Sequence, residues 1–154
     1  MTTLCSEVLQ ALGGKTLVTA ESLTGGGIGN ALTAVSGSSA VYKGGIISYT
    51  NWVKQNVLGV DEELLKREGA VSAPVAEAMA AGARKCLQAD VAVSVTGLAG
   101  PDGDEYGNPV GTVFIGYADA VRTLSRKYCF DGDRDAVRTQ ATEEALKLVL
   151  AYNG

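Results

Sequence analysis

Short β-branched runs alternate with helical stretches along this chain, and turns rich in glycine and serine separate them. Residues 16–20 (TLVTA) are typical of a buried strand, and the glycine-rich turn at 21–27 leads into a helix over 28–35. A strand that passes through a short turn into a helix is the building unit of layered α/β folds. The sequence therefore favours a sheet that is covered by helices.

The same pattern continues along the chain and predicts the remaining elements. The predicted strands cover residues 16–20, 44–49, 89–95, 112–117 and 123–130. The predicted helices cover residues 3–12, 28–35, 52–58, 62–67, 73–88 and 133–152. Strands that alternate with helices, followed by a late hairpin, predict an α/β fold, a three-layer α/β/α sandwich around a mixed sheet of about five strands.

The length and composition are those of a single folded domain. The chain has 154 residues, of which 46% are apolar and 19% charged, so it can bury a sizeable core and is unlike a disordered segment. We expect residues 1–154 to form a single domain. The formal net charge of −4 argues against a nucleic-acid partner, which favours basic domains.

Several local features add to these expectations. No apolar stretch approaches the roughly 20 residues that cross a bilayer, and the N-terminus lacks a basic segment followed by an apolar one, which predicts a cytoplasmic protein without a membrane partner. Three scattered cysteines predict reduced thiols, and Cys86 lies on the apolar stripe of helix 73–88, where we expect it to pack. Ser72 and Asp133 are predicted to cap the helices that follow them.

The chain contains no histidine. This excludes Ser-His-Asp and Cys-His catalysis and zinc sites of the HExxH type. Isolated cysteines also argue against a thiolate metal site, so a Mg²⁺ ion bound by carboxylates is the one kind of metal site that stays possible. We expect no metal or other cofactor, and any enzyme activity must move protons with another residue type.

The turn after the first strand is the first candidate site. Ser22 lies between a strand and a helix start, where unpaired backbone N–H groups can hold an oxyanion or a phosphate. The alternative is that Ser22 or Thr24 only caps the helix. The glycines match neither the dinucleotide-binding fingerprint nor a phosphate-binding Walker A loop.

Residues after the next two strands are further candidates. Lys54 follows the second strand and is able to activate a serine if burial lowers its pKa, although most helical lysines lie at the surface. Thr96 follows the third strand, and Asp102 in the next loop is more typical of a turn. Ligands of open α/β sheets bind at the carboxyl ends of strands, so we expect Ser22, Tyr49 and Thr96 to converge there.

Arg134 is unusual because a cation is disfavoured at a helix N-terminus. Two explanations are open at this point. The neighbouring aspartates bind the guanidinium, or its planar fork reaches a substrate phosphate.

Taken in order, these motifs resemble the C-terminal domain of the CinA family. The matching segments are residues 19–26, 37–40, 49–54, 69–72, 97–103, 109–112 and 132–134. The resemblance runs from about residue 4 to residue 152, and an ordered set of motifs is far more specific than any single one.

The resemblance implies an activity. Stand-alone members of the family are nicotinamide-nucleotide amidases, which hydrolyse nicotinamide mononucleotide to nicotinate mononucleotide and ammonia in pyridine nucleotide salvage. By motif, the nucleophile of this Ser/Lys hydrolase falls on Ser22 and the base on Lys54, with Tyr49 and Thr96 as further catalytic residues. The substrate-binding residues implied are Thr24, Gly25, Gly26, Asn51, Gly97 and Arg134. A small nucleotide as the partner and a homo-oligomer are also implied.

Several details stay open within this hypothesis. Arg134 either keeps Lys54 neutral or binds the nucleotide phosphate, and Thr96 is expected to hydrogen-bond Ser22 or Lys54. Backbone amides of residues 22–27 are expected to hold the oxyanion. The competing hypotheses are a nucleotide-binding, competence- or damage-associated module without the reaction, and an amidase or esterase for another small molecule.

Overall fold

A computed structural model describes residues 1–154. Its strands are β1 (Leu17–Glu21), β2 (Tyr42–Ile47), β3 (Val91–Gly97), β4 (Thr112–Ala118) and β5 (Thr123–Cys129). Its helices are α1 (Thr2–Ala11), α2 (Gly27–Thr33), α3 (Asn51–Asn56), α4 (Glu62–Glu68), α5 (Ala73–Cys86) and α6 (Arg134–Asn153), and a 3₁₀ turn covers Ser38–Ala40. Every predicted strand and helix is present, with ends that shift by a few residues.

The five strands form one mixed sheet in the order β2-β1-β3-β4-β5. β1 pairs in parallel with both β2 and β3, whereas β3 to β5 form an antiparallel series. The carboxyl ends of β1, β2 and β3 therefore lie along one edge of the sheet, where ligand sites of such sheets form. This topology confirms the predicted mixed sheet of the α/β fold.

Helices cover both faces of the sheet and produce two apolar cores. One face carries α1, α2 and α6 over a core of 21 buried residues, and the other carries α4 and α5 over a core of 10. Residues along β1 alternate between them, since Leu17 belongs to the larger core and Val18 and Ala20 to the smaller one. This arrangement confirms the predicted three-layer sandwich.

The predicted local features have different outcomes. Asp133 caps α6, because its Oδ1 accepts a hydrogen bond of 2.9 Å from the N–H of Ala136. Ser72 occupies the cap position of α5, but its hydroxyl donates to the carbonyl of Gly69 at 2.9 Å instead. Ser72 is therefore the N-cap residue, as predicted, but it makes no side-chain cap hydrogen bond, and Pro74 in the first turn of α5 has no N–H to donate to it.

The cysteines are all free, as predicted, but Cys86 is exposed. The buried stripe of α5 ends at Ala83, and Cys86 is the last residue of the helix. The prediction that Cys86 packs in the core is therefore wrong, because the helix ends before that position can be covered. No helix of the structure is long and apolar enough to cross a membrane.

The connection between β3 and β4 is held by hydrogen bonds within itself and by hydrogen bonds to α4 and to the segment before α5. Asp104 accepts hydrogen bonds from the backbone N–H groups of Tyr106 and Asn108. The Asn108 amide donates to the carbonyl of Val71 at 3.1 Å, and the Tyr106 hydroxyl donates to that of Lys66 at 2.8 Å. These contacts tie the connection to α4 and to the segment before α5, so it forms one wall of the region beyond the strand ends.

Candidate active site

A cavity of about 330 Å³ lies beyond the carboxyl ends of β1, β2 and β3. Eight of the residues singled out in the sequence line it: Ser22, Tyr49, Asn51, Lys54, Thr96, Gly97, Asp102 and Arg134. The fold brings these residues together from four distant parts of the chain: the segments at the ends of β1, β2 and β3, and the start of α6. The predicted convergence of Ser22, Tyr49 and Thr96 is therefore confirmed.

Ser22 is placed by the turn that follows β1. Its N–H donates to the carbonyl of Val95 on β3 at 3.0 Å, and its own carbonyl accepts the N–H of Gly25 at 3.1 Å. Gly26, with φ +102°, occupies the cap position of α2, a conformation that glycine adopts without strain. Gly26 has no side chain to cap α2, and no N–H of the first turn of α2 donates to the side chain of Ser22 or Thr24. The alternative that Ser22 or Thr24 caps this helix is wrong.

Lys54 is buried although it is a lysine on a short helix. Its side chain is 1% exposed, and its Nζ lies 3.1 Å from Ser22 Oγ. The same Nζ lies 2.7 Å from the carbonyl oxygen of Ser48 and 3.4 Å from that of Tyr49. The alternative of a solvated surface lysine is therefore wrong.

Burial lowers the pKa of Lys54 from its ordinary 10.5 to about 8, because the charged ammonium loses hydration. No neighbouring cation contributes to this shift. A neutral amine has two N–H bonds and one lone pair. The two carbonyl oxygens can only accept, whereas the Ser22 hydroxyl can donate, so the three partners of Nζ match those of a neutral amine.

Arg134 stands at the exposed mouth of the cavity. Its Nη1 donates to the carbonyl of Gly100 at 2.6 Å, and its Nη2 donates to the Tyr49 hydroxyl at 3.2 Å. These contacts occupy two of its donors and tie the loop after β3 to the segment after β2. The ion pair near this helix start joins Asp135 to Arg138, so the explanation that the aspartates bind Arg134 is wrong.

Glu21, next to Ser22, is a buried residue to which the sequence prediction assigned no role. Its Oε1 accepts hydrogen bonds from Thr24 Oγ1 at 2.7 Å and from the N–H of Ile28 at 2.8 Å. Its Oε2 accepts from Thr19 Oγ1 at 3.2 Å and from the N–H of Gly29 at 3.1 Å. The signal in the sequence is an acidic residue just before a helix start, where negative charge is favoured.

The carboxylate of Glu21 changes the interpretation of the glycine-rich turn. The N–H groups of Ile28 and Gly29 belong to the first turn of α2, and they are occupied from within the protein. An external phosphate cannot use them in this arrangement. The expectation that unpaired N–H groups at the start of α2 hold a phosphate is therefore wrong.

The remaining predicted site residues lie in different surroundings. Thr24 is buried against Glu21, Gly25 lies beside Arg138 and Gly26 beside Ile47, and none of these three lines the cavity. Thr96 lines the cavity, but its hydroxyl donates to the carbonyl of Ala70 at 2.8 Å. The prediction that Thr96 hydrogen-bonds Ser22 or Lys54 is wrong, because its hydroxyl is bound to a carbonyl of the segment before α5.

Part of the lining was not predicted. The apolar wall consists of Leu23, Ala70, Val71, Leu98 and Ala99. Residues 70 and 71 come from the connection between α4 and α5 and belong to the motif at 69–72, to which the family resemblance assigned no role in the site. Across residues 1–154, including the cavity, no group of three or more cysteine, aspartate or glutamate side chains is arranged to hold a metal ion.

Comparison with known proteins agrees with this geometry. The model of the CinA C-terminal domain family matches residues 1–152. The chain is 49% identical over 147 residues to the nicotinamide-nucleotide amidohydrolase PncC of Escherichia coli strain K12, covering 94% of this chain and 89% of that protein. It is 51% identical over 150 residues to a CinA-like protein of Synechococcus strain RCC307, of which the match covers 36%.

Solved structures are similar to this chain in fold as well as in sequence. A competence damage-inducible protein A from Klebsiella pneumoniae superposes with a TM-score of 0.95 at 37% identity, covering 97% of this chain and 94% of that one. A CinA superfamily protein from Enterobacter cloacae superposes with a TM-score of 0.96 at 33% identity, covering 99% and 92%. The chain belongs to the CinA C-terminal domain family.

Proposed function

We propose that this protein is a nicotinamide-nucleotide amidase that hydrolyses nicotinamide mononucleotide to nicotinate mononucleotide and ammonia. Ser22 is the nucleophile and Lys54 is its base. The observation that carries the proposal is the contact of 3.1 Å between Ser22 Oγ and the buried Lys54 Nζ. The names of the PncC relatives support the choice of substrate.

The first half of the reaction forms an acyl-enzyme. Neutral Lys54 accepts the proton of the Ser22 hydroxyl while Oγ attacks the carboxamide carbon. The tetrahedral intermediate then collapses as Lys54 returns that proton to the departing nitrogen, and ammonia leaves. The new bond is an ester between Ser22 and the nicotinoyl carbon.

The second half hydrolyses this ester. Lys54, neutral again, accepts a proton from water as the water oxygen attacks the acyl carbon. The proton returns to Ser22 Oγ when the ester bond breaks, and nicotinate mononucleotide leaves as a carboxylic acid that ionises. Each proton moves through the same amine, so the chain needs no second base.

The oxyanion has candidate donors in the turn itself. The N–H of Ser22 is bound to Val95, and the first N–H groups of α2 are bound to Glu21. Of the N–H groups in residues 22–27, those of Leu23, Thr24 and Gly26 make no backbone hydrogen bond. Leu23 lines the cavity, so we assign the oxyanion to its N–H and to that of the adjacent Thr24, which narrows the expected set from residues 22–27. Such a donor contributes about 2.7–4 kcal/mol in other hydrolases.

Arg134 is the residue that we assign to the phosphate. It lines the cavity at the mouth and keeps N–H donors beyond the two that bind Gly100 and Tyr49. Its alternative role as the cation that lowers the pKa of Lys54 has no support, because burial is the cause of that shift. Asn51, Gly97 and the Tyr49 ring complete the proposed substrate contacts.

The experiment is ammonia release from nicotinamide mononucleotide by wild type, Ser22→Ala and Lys54→Ala. Lys66→Ala is the matched control, since Lys66 is an exposed lysine of α4. We expect activity in wild type and the control, and near-complete loss in the two site variants, with all four folded by circular dichroism.

Two outcomes would replace the proposal. Wild type that binds the nucleotide but releases no ammonia would favour a nucleotide-binding module. Equal hydrolysis of free nicotinamide would favour an amidase for another small molecule, because the Arg134 contact would then contribute nothing. A cytoplasmic location and a homo-oligomer stay predictions, and fractionation and size-exclusion chromatography test them.

A further inference from the structure

Arg138 contacts the nucleophile turn from outside the cavity. Its Nε donates to the carbonyl of Leu23 at 2.9 Å, and its Nη2 lies 3.4 Å from the carbonyl oxygen of Thr24. Arg138 does not line the cavity but a surface groove on the α2 and α6 side, together with Thr24. Leu23 lines the cavity, so the turn separates the two spaces.

The ion pair of Arg138 does not account for its position. Its Nη1 lies 3.9 Å from Asp135 Oδ1, and the two side chains are 41% and 91% exposed. Exposed pairs at this distance contribute little to stability. The two carbonyl contacts in the turn are therefore the principal interactions of the guanidinium.

The geometry of the peptide bond gives these contacts a consequence. The carbonyl of Leu23 and the N–H of Thr24 belong to one planar trans peptide, so they point in opposite directions. A donor that fixes the carbonyl towards α6 also fixes the N–H away from α6, and Leu23, which supplies this carbonyl, lines the cavity. A cationic donor on the oxygen further polarises the peptide and strengthens its N–H as a donor.

We propose that Arg138 is a positioning residue that aims and polarises the Thr24 N–H as an oxyanion donor. The inference deepens the proposed function and rests on it. Arg138 acts through the peptide and touches neither the substrate nor Ser22. Arg134, one helical turn earlier, differs from Arg138 because it lies at the mouth of the cavity.

The test compares Arg138→Met and Arg138→Lys with two controls in steady-state hydrolysis of nicotinamide mononucleotide. Asp135→Asn removes only the ion pair, and Arg122→Met removes a half-exposed arginine near the β4–β5 turn. Thermal unfolding of each variant checks the fold. Binding of the nucleotide is measured separately in a Ser22→Ala background, with and without Arg138→Met.

We expect Arg138→Met to lower kcat by roughly 10- to 100-fold, less than the about 10²–10³ for outright loss of a donor. KM and the binding constant in the Ser22→Ala background should stay within about twofold, because the ground state uses this donor little. Arg138→Lys should recover only part of kcat, since an ammonium cannot reproduce the planar fork. Both controls should keep the wild-type kcat.

Three results would overturn the inference. The first is an unchanged kcat in Arg138→Met, and the second is a loss that appears in binding and KM alone. The third is a loss of kcat that Asp135→Asn reproduces, which would assign the effect to the ion pair. An inactive wild type is a separate result, because it contradicts the proposed function rather than the role of Arg138.

Discussion

Glu21 and Lys54 are two buried charged residues on opposite sides of the end of β1, and they are held differently. Glu21 is 2% exposed and faces α2, where two hydroxyls and two backbone N–H groups donate to its oxygens. Lys54 is 1% exposed and contacts two carbonyl oxygens and the hydroxyl of Ser22.

The difference fits a structural role for Glu21 and the proposed role in proton transfer for Lys54. Each oxygen of Glu21 meets a backbone N–H, which can only donate, so the group has one arrangement that satisfies its partners. The partners of Lys54 satisfy both of its protonation states, because the Ser22 hydroxyl is able either to accept or to donate. A buried group that fits its surroundings in both states is able to exchange a proton without rearrangement.

The largest expected effect is on the free energy of unfolding, and it tests the structural role of Glu21. In Glu21→Gln, the amide NH₂ faces a backbone N–H of α2, and one buried donor loses its acceptor. We expect the free energy of unfolding to fall by about 3–4 kcal/mol, measured by urea denaturation at pH 7. Glu68→Gln, at an exposed end of α4, is the control and should change stability by less than about 0.5 kcal/mol. Equal effects in the two variants would contradict the anchoring role of Glu21.

A second prediction concerns the stability contributed by Lys54 as pH changes. Its pKa is about 8 in the folded protein and 10.5 in the unfolded chain. Between these values the unfolded state binds more protons, so stability rises with pH. Below pH 8 both states are protonated and the full cost of burying the charge is present.

We expect the free energy of unfolding of wild type to rise relative to Lys54→Met by about 2–3 kcal/mol between pH 8 and pH 10.5. The measurement is a set of paired denaturation curves across that range. Lys85→Met, which removes an exposed lysine near the end of α5, should run parallel to wild type. A constant difference between wild type and Lys54→Met would show that burial does not lower this pKa.

The smallest expected effect is on the rate of the proposed reaction. The base must be neutral, so kcat/KM should rise through an acid limb with an apparent pKa near 8, the value to which burial lowers the Lys54 pKa in the protein without substrate. From pH 7 to pH 9 this is an increase of about 10-fold. Stopped ammonia assays across that range measure it, and a profile that is flat below pH 8 would exclude Lys54 as the base.

The sequence predicted the convergence of the site better than its internal contacts. Ser22, Tyr49 and Thr96 each follow a strand, and the rule that ligands bind at carboxyl strand ends needs no knowledge of packing. The strand bounds were less accurate, because β2 was predicted at 44–49 and lies at 42–47. Its position is set by pairing of Leu17 with Tyr42 across the sheet, which local composition does not specify.

The missed contacts are those that depend on distant parts of the chain. The acceptor of the Thr96 hydroxyl is 26 residues away at Ala70, and the turn that carries Ser22 is bound by Arg138 more than a hundred residues later. Glu21 is adjacent to Ser22, yet its role depends on α2 turning back over its carboxylate. Hydrogen bonds of this kind follow from the tertiary arrangement and have no periodic signal in sequence.

The anchors of Lys54 have a consequence for how the protein tolerates mutation. Besides Ser22, the amine is held by the carbonyl oxygens of residues 48 and 49, which are main-chain atoms. No side-chain substitution deletes a main-chain oxygen, so sequence drift at these two positions leaves the base in place as long as the backbone keeps its path. The position of the amine is instead sensitive to changes of the backbone path, such as an inserted residue or a proline between β2 and α3.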